Sequence, residues 1–130
     1  MARIYVIEDD RVLQELYAMY LSRMGHEIIG QSYNGIEALV DLYFNHRENP
    51  PDIIILDYTM PGKNGLELFH DLQKLDYVKQ TKVLFVTGFA HLQFPAREMG
   101  ISGFVQKPFD YEILRQSIME LSIDESILLC

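Results

Sequence analysis

Ile53-Ile54-Ile55-Leu56-Asp57, running directly into Tyr58-Thr59-Met60-Pro61-Gly62-Lys63-Asn64-Gly65, constrains this chain more tightly than any other stretch. Four consecutive apolar residues without alternation read as a strand covered on both faces, the habit of a parallel sheet. Pro61, Gly62, Asn64 and Gly65 then supply the fixed φ and the positive-φ options of a tight loop. Asp57 therefore stands at the strand's C-terminal rim and not inside a core. In an open parallel sheet, that rim is where ligands bind.

Around this strand the pattern alternates. Residues 3–8 form an apolar run ending in acids, and Leu13, Leu16, Tyr17, Tyr20, Leu21 and Met24 follow at helical spacing, with Asp10 placed to cap the helix and Gly25-His26 to end it. A weaker strand over 27–32 leads through Asn34-Gly35 to a second helix. Its expected apolar stripe is Ile36, Leu39, Val40, Tyr43 and Phe44, and it stops before Asn49-Pro50-Pro51. After the central strand come a helix over 66–75, a continuously apolar strand over 81–88, and a stretch over 89–99 where Pro95 predicts a short or distorted helix. A short strand over 103–106 precedes Lys107-Pro108, and Ile113, Leu114, Ile118 and Leu121 mark a last helix. Five strands alternating with five helices predict an α/β fold with a parallel sheet covered on both faces.

At 130 residues and 48% hydrophobic, the chain suits one core. We expect one domain over 1–122 and a short apolar tail over 123–130, with no output domain. Ile127, Leu128 and Leu129 of the tail are expected to tuck onto the core or to join a partner surface, a homodimer through the last helices being one such use. Nineteen acidic residues against eleven Lys and Arg, a net charge of −8, disfavour direct nucleic-acid binding. The single cysteine, Cys130, excludes an internal disulfide, and the acidic N-terminus does not read as a signal peptide; the expectation is a cytoplasmic protein without membrane insertion.

The residues after the strong strands form a set: Glu8 and Asp9, Asp57, Thr87 and Lys107. Taken singly, a loop Asp caps turns, a loop Lys is solvated and a strand-end Thr bonds local backbone. Together they would converge on one rim. If the first and third strands are neighbours, three carboxylates share a crevice, and each like-charged pair near 4 Å costs roughly 1 kcal/mol in bulk water and about 4 kcal/mol at an effective dielectric of 20. Such a site calls for a cation, and hard oxygen ligands with open positions suit Mg2+. Asp57 can then serve as a nucleophile toward a phosphoryl group, with Lys107 as a second cation and Thr87 as a hydroxyl donor.

On IYVIEDD, LDYTMPGKNG, VLFVTG and GFVQKPF, the chain resembles the receiver domain of two-component response regulators, of the single-domain, chemotaxis-regulator-like kind, over essentially its whole length. The resemblance implies a doubly wound, flavodoxin-like sheet of five strands in the order 2-1-3-4-5. It implies Asp57 as phosphoacceptor, Glu8 and Asp9 as the acidic pair at Mg2+ together with Asp57, and the backbone carbonyl of Thr59 as a further ligand. Thr87 matches the switch hydroxyl, Lys107 the phosphate-binding lysine, and Phe104 the switch aromatic; Asp10 is left with capping or outer-shell duty. Implied partners are a sensor histidine kinase or phosphotransfer protein and a downstream protein target. The role is that of a phosphoacceptor in a phosphorelay, not of an enzyme in the ordinary sense.

Three features depart from the family pattern. Gly88 stands where alanine is usual, the stretch from Thr87 to Lys107 is about two residues short and holds Pro95, and Phe89 places an apolar ring two residues past Thr87, where it is expected to shield an acyl phosphate. Two other readings compete. A haloacid dehalogenase-like phosphatase would need an Asp two residues after its nucleophile, where this chain has Thr59. A phosphate-independent, receiver-like interaction module would usually have lost the acceptor, the acidic pair or the lysine, and all are present.

Overall fold

The computed structural model describes residues 1–75 and 79–122. The strands are β1 (Arg3–Ile7), β2 (Glu27–Ser32), β3 (Ile53–Asp57), β4 (Lys82–Thr87) and β5 (Gly103–Gln106). The helices are α1 (Arg11–Arg23), α2 (Gly35–Asn45), α3 (Gly65–Lys74), α4 (Gln93–Glu98) and α5 (Tyr111–Ser122). All strand pairs are parallel in the order β2-β1-β3-β4-β5, the doubly wound arrangement expected. The tail residues Ile127, Leu128 and Leu129 lie outside the described residues.

Because successive strand residues point to opposite faces, the same strands feed two cores. Tyr5, Ile7, Ile54, Leu56 and Phe85 pack under α2, α3 and α4. Ile4, Val6, Ile55, Leu84 and Val86 pack under α1 and α5. Past the opening residues Arg3 and Lys82, β1, β3 and β4 are therefore buried, which is why their sequences show no alternation.

Pro95 does shorten its helix without breaking it. A 3-10 turn over Ala90–Leu92 runs into α4, where Pro95 is the third residue. In the first turn of a helix the backbone N–H has no intrahelical acceptor, so the proline removes nothing there.

The expected face of α2 is corrected by the structure. Ala38 and Leu42 point inward, whereas Ile36, Val40 and Phe44 are 68%, 53% and 73% exposed. Two contacts set this rotation. Asp41 accepts a 2.7 Å hydrogen bond from the Tyr5 hydroxyl of β1, and a Cβ at Gly35 would stand 3.4 Å from that of Lys63. The helix is turned by a polar tether and a close approach, against the larger apolar stripe.

Candidate functional site

Strand register builds the site. Ile7 lies beside Leu56, Asp57 beside Val86, and Thr87 beside Gln106. The residues at and just beyond these pairs are Glu8, Asp9, Asp57, Thr87 and Lys107, and they arrive at one level of the C-terminal rim. The loop after Asp57 is held by Gly62 at φ 78°, by Asn64 capping α3 in a reciprocal box with Glu67, and by a 2.9 Å bond from Gly65 N–H to the Tyr58 carbonyl. A side chain at Gly65 would collide with the Asp57 carbonyl and the Tyr58 Cα. Glycine there lets α3 begin directly against the strand end.

One carboxylate oxygen from each of Glu8, Asp9 and Asp57 lies within 4.8 Å of the other two. Glu8 and Asp57 are buried and Asp9 is exposed. Lys107 bridges the buried pair, its Nζ donating at 2.9 Å to Glu8 Oε1 and at 2.8 Å to Asp57 Oδ1. The second Glu8 oxygen accepts the Asp10 N–H at 3.1 Å. Asp10 caps α1, its Oδ1 accepting from the Val12 and Leu13 N–H groups at 2.9 and 3.2 Å. The run of three acids is thus divided between the rim and a helix start.

Burial raises the Glu8 carboxyl to about 7; the bond from Lys107 opposes this, and the charge of Asp57 adds to it. Asp57 is raised as well, by burial first and by Asp9, against the pull of Lys107. Burial works to lower Lys107, but its bonds to Asp57 and Glu8 outweigh that and raise it. Three carboxylates and one ammonium leave the cluster short of positive charge, in a partly dry setting where that shortage is costly. The donor set is all hard oxygen, with one carboxylate open to solvent. It fits a hard divalent ion such as Mg2+, which binds through a few carboxylates and keeps several waters.

The remaining predicted residues lie on β4, on β5 and in the loops after β3 and β4. Thr87 is buried; its Oγ1 accepts the Phe89 N–H at 3.1 Å, and its carbonyl accepts the Lys107 N–H at 2.8 Å. Thr59 lies exposed in the loop two residues past Asp57. Phe104 is half-buried on β5, its ring centroid 6.1 Å from that of Phe85. Phe89 is 48% exposed with its ring edge-on to Tyr58 at 5.9 Å. The Lys107-Pro108 peptide bond is cis.

Sequence reading does not single out Gln14, which matters here. Fully buried on α1, it donates from Nε2 at 3.0 Å to the Glu8 carbonyl and at 2.9 Å to the Ser32 carbonyl, joining the ends of β1 and β2 beneath the acidic pair. Its Oε1 accepts from Gln31 at 2.8 Å. The available signal is positional: Gln14, Tyr17 and Leu21 recur at i, i+3 and i+7, so a glutamine stands on the inward stripe of an amphipathic helix.

Comparison with known proteins gives consistent matches. The family model described as the response regulator receiver domain matches residues 4–119. The chain is 25% identical over 120 residues to the chemotaxis protein CheY of Thermotoga maritima, covering 92% of this chain and 97% of that one. It is 32% identical over 128 residues to the transcriptional regulatory protein CrdR of Helicobacter pylori, covering 96% of this chain but 57% of the relative, so it spans little more than half of that longer regulator. Among solved structures, it is similar to the response regulator TrrA of Thermotoga maritima, in complex with Mg2+ and beryllium fluoride. That match has a TM-score of 0.78 and 30% identity, and covers 93% of this chain and 99% of the other.

Proposed function

The chain belongs to the response regulator receiver family of two-component signalling, and from that premise we propose that Asp57 accepts a phosphoryl group from a phosphohistidine on a kinase or phosphotransfer protein, in a Mg2+-dependent reaction. The observation that carries this reading is the Glu8–Asp9–Asp57 cluster with Lys107 bridging its two buried members. An Asp57 oxygen forms a bond to phosphorus as the P–N bond breaks, and the imidazole leaves with the bonding electrons and takes up a proton. A Mg2+ held by Glu8, Asp9, Asp57 and the Thr59 carbonyl would neutralise charge on the phosphoryl oxygens.

Lys107 supplies the second cation, turning from its carboxylate partners toward the incoming oxygens. Thr87 donates its hydroxyl proton, which the bond it accepts from Phe89 does not use. Movement of Thr87 toward the phosphoryl group makes room for half-buried Phe104 to turn inward, biasing a two-state equilibrium read by a partner protein. In this reading, residues 1–122 are the receiver, and the protein works as a cytoplasmic signalling component.

The test is phosphorylation of the purified protein by acetyl phosphate or phosphoramidate with Mg2+, followed by intact mass, beside Asp57→Asn. The expected result is a gain of one phosphoryl group that requires Mg2+ and is lost in the variant. If the wild-type protein stays unmodified and Mg2+ fails to raise its thermal stability, the phosphate-independent interaction module becomes the better reading.

A further inference from the structure

Helix α2 is apolar on two sides, and the fold uses only one of them. Ala38 and Leu42 are buried and Leu39 packs against the core. On the outer side Ile36, Val40 and Phe44 recur at i, i+4 and i+8, with Tyr43 (38% exposed) beside them. A helix that is apolar all round is normally covered all round. These are four of the eleven exposed large apolar side chains among the described residues, gathered on one helix face. The last helix offers no such stripe: Ile113 and Met119 are exposed there, but they stand six residues apart and so lie on different faces. The rotation of α2 is also held in place. The stripe cannot roll inward without breaking the bond that Asp41 accepts from the Tyr5 hydroxyl. A carboxylate is turned in and an apolar stripe is held out, the reverse of what burial alone selects.

Size and charge identify what covers it. At these exposures the four side chains present roughly 400–500 Å2, a patch of the size that marks interaction sites. One stripe laid on another removes about twice that, close to the roughly 1,000 Å2 at which specific interfaces begin. A chain of net charge −8 meets itself most readily where acid is not set against acid. Glu37 is exposed in the first turn of α2. Arg47 is exposed just past the last turn, its guanidinium 4.8 Å over the Tyr43 ring and donating to the Tyr43 hydroxyl at 3.1 Å. Antiparallel pairing centred on Val40 brings Glu37 of each copy toward Arg47 of the other, and the two-fold axis makes that contact twice. We propose that the outer face of α2 is a homodimer surface, with Ile36, Val40 and Phe44 of two antiparallel copies interdigitating across an axis at Val40. The i±4 ridges of both helices then pack together, the commonest mode of helix packing. The inference stands apart from the phosphoacceptor reading and moves the expected homodimer surface from the last helices to α2.

The experiment is sedimentation velocity of the 130-residue chain from about 1 μM to about 1 mM, a range that brackets weak and moderate dissociation constants. It compares wild type with Val40→Glu, Glu37→Arg, Arg47→Glu, an equimolar mixture of the last two, and Met119→Glu as a control on the last helix. Wild type should dimerise with a Kd of about 10–100 μM, as suits an interface at the lower end of the size range. Val40→Glu sets two carboxylates against each other at the axis and should weaken the dimer about a hundredfold or more. Val40 is exposed in the single chain, so the unfolding temperature of the dilute variant should match that of dilute wild type. Glu37→Arg and Arg47→Glu should each weaken the dimer about fivefold to tenfold, two rim pairs being turned from attraction to repulsion. Their mixture should recover the wild-type Kd, because opposite charges face each other again, and Met119→Glu should change nothing. Wild type that stays monomeric to about 1 mM overturns the proposal and leaves the stripe to a different protein. A dimer that survives Val40→Glu, or that Met119→Glu abolishes, overturns it in favour of another face. A mixture no tighter than its two components overturns the antiparallel pairing on which it stands.

Discussion

Two polar clusters flank β1, and they are finished differently. Beside the strand, the Tyr5 hydroxyl donates to Asp41 at 2.7 Å and is bonded by the hydroxyl of Ser32, while Asn45 donates to Asp41 at 2.6 Å and His46 stands 3.6 Å away. Every donor there faces an acceptor. Beyond the end of the strand, Glu8, Asp9 and Asp57 crowd together with Lys107 bridging two of them. The effect on the carboxylates is opposite in sign. Burial raises Asp41, but the bonds from Asn45 and Tyr5 and the neighbouring His46 outweigh it and hold the group below its ordinary range, whereas Glu8 and Asp57 are held above theirs. A cluster that serves the fold closes its own hydrogen bonds. The rim cluster, read as a phosphoacceptor site, is left short of charge that a bound cation would supply.

The largest expected effect comes from worsening that shortage. Lys107→Ala should slow phosphorylation by a small-molecule donor about a hundredfold, the scale of losing one preorganised electrostatic contact. It should also lower the stability of the Mg2+-free protein, because Glu8 and Asp57 lose the cation they share. Rates from intact mass over time, beside urea unfolding, check both. A variant that phosphorylates at the wild-type rate would erase the distinction between the two clusters, since Lys107 would then be only a structural partner.

Much of this contrast is legible in the sequence, and the parts that are not have identifiable causes. The rim residues could be read because strand ends are marked by the switch from apolar runs to acids, glycines and prolines. Gathering Glu8, Asp57 and Thr87 further needs β1 and β4 on either side of β3, an order that the residue pattern left conditional and the family resemblance supplied. The closed cluster was not legible. Tyr5 lies inside an apolar run and reads as core, and nothing local shows that its hydroxyl reaches Asp41. The same tether explains the misplaced face of α2, since counting apolar residues finds Ile36, Val40 and Phe44 but not the bond that turns Asp41 inward. Gln14 escaped for a related reason: its role is to bond two strand-end carbonyls, which exist as targets only once β1 and β2 are paired.

The opposite signs give a pH test in the metal-free protein. Glu8 is raised from 4.5 to about 7, so the folded state holds this proton more tightly than the unfolded chain does. Stability present below about pH 4.5 is therefore lost as pH rises toward 7, with a slope of at most about 1.4 kcal/mol per pH unit. Glu8→Gln should flatten that window. Asp41 is depressed, so its contribution is complete above its unfolded value of 3.8 and disappears as pH falls through the folded one. Asp41→Asn should flatten only the acid limb. Urea unfolding from pH 3 to pH 8 (roughly the window these groups span) separates the two. Equal slopes in Glu8→Gln and wild type between the Glu8 limits would mean the rim is as well compensated as the closed cluster.

The smallest effect should come from opening the closed cluster. Tyr5→Phe keeps the ring, which the bare Cα of Gly30 accommodates, since a Cβ there would run into the ring edge. It removes one hydroxyl, leaving the buried Ser32 without its partner and Asp41 with Asn45 and His46. The cost should be about 1–2 kcal/mol in urea unfolding, that of an unsatisfied buried hydroxyl beside a partly solvated carboxylate. Phosphorylation should change less than about twofold, because no rim residue bonds to Tyr5 and an effect of that size is under 0.5 kcal/mol. A bridge between the clusters is Ser32, whose carbonyl accepts both the Glu8 N–H at 3.0 Å and the Gln14 amide. If Tyr5→Phe slows phosphorylation as strongly as it lowers stability, strain is passing through that carbonyl to Glu8, and the two clusters are one network read at two ends.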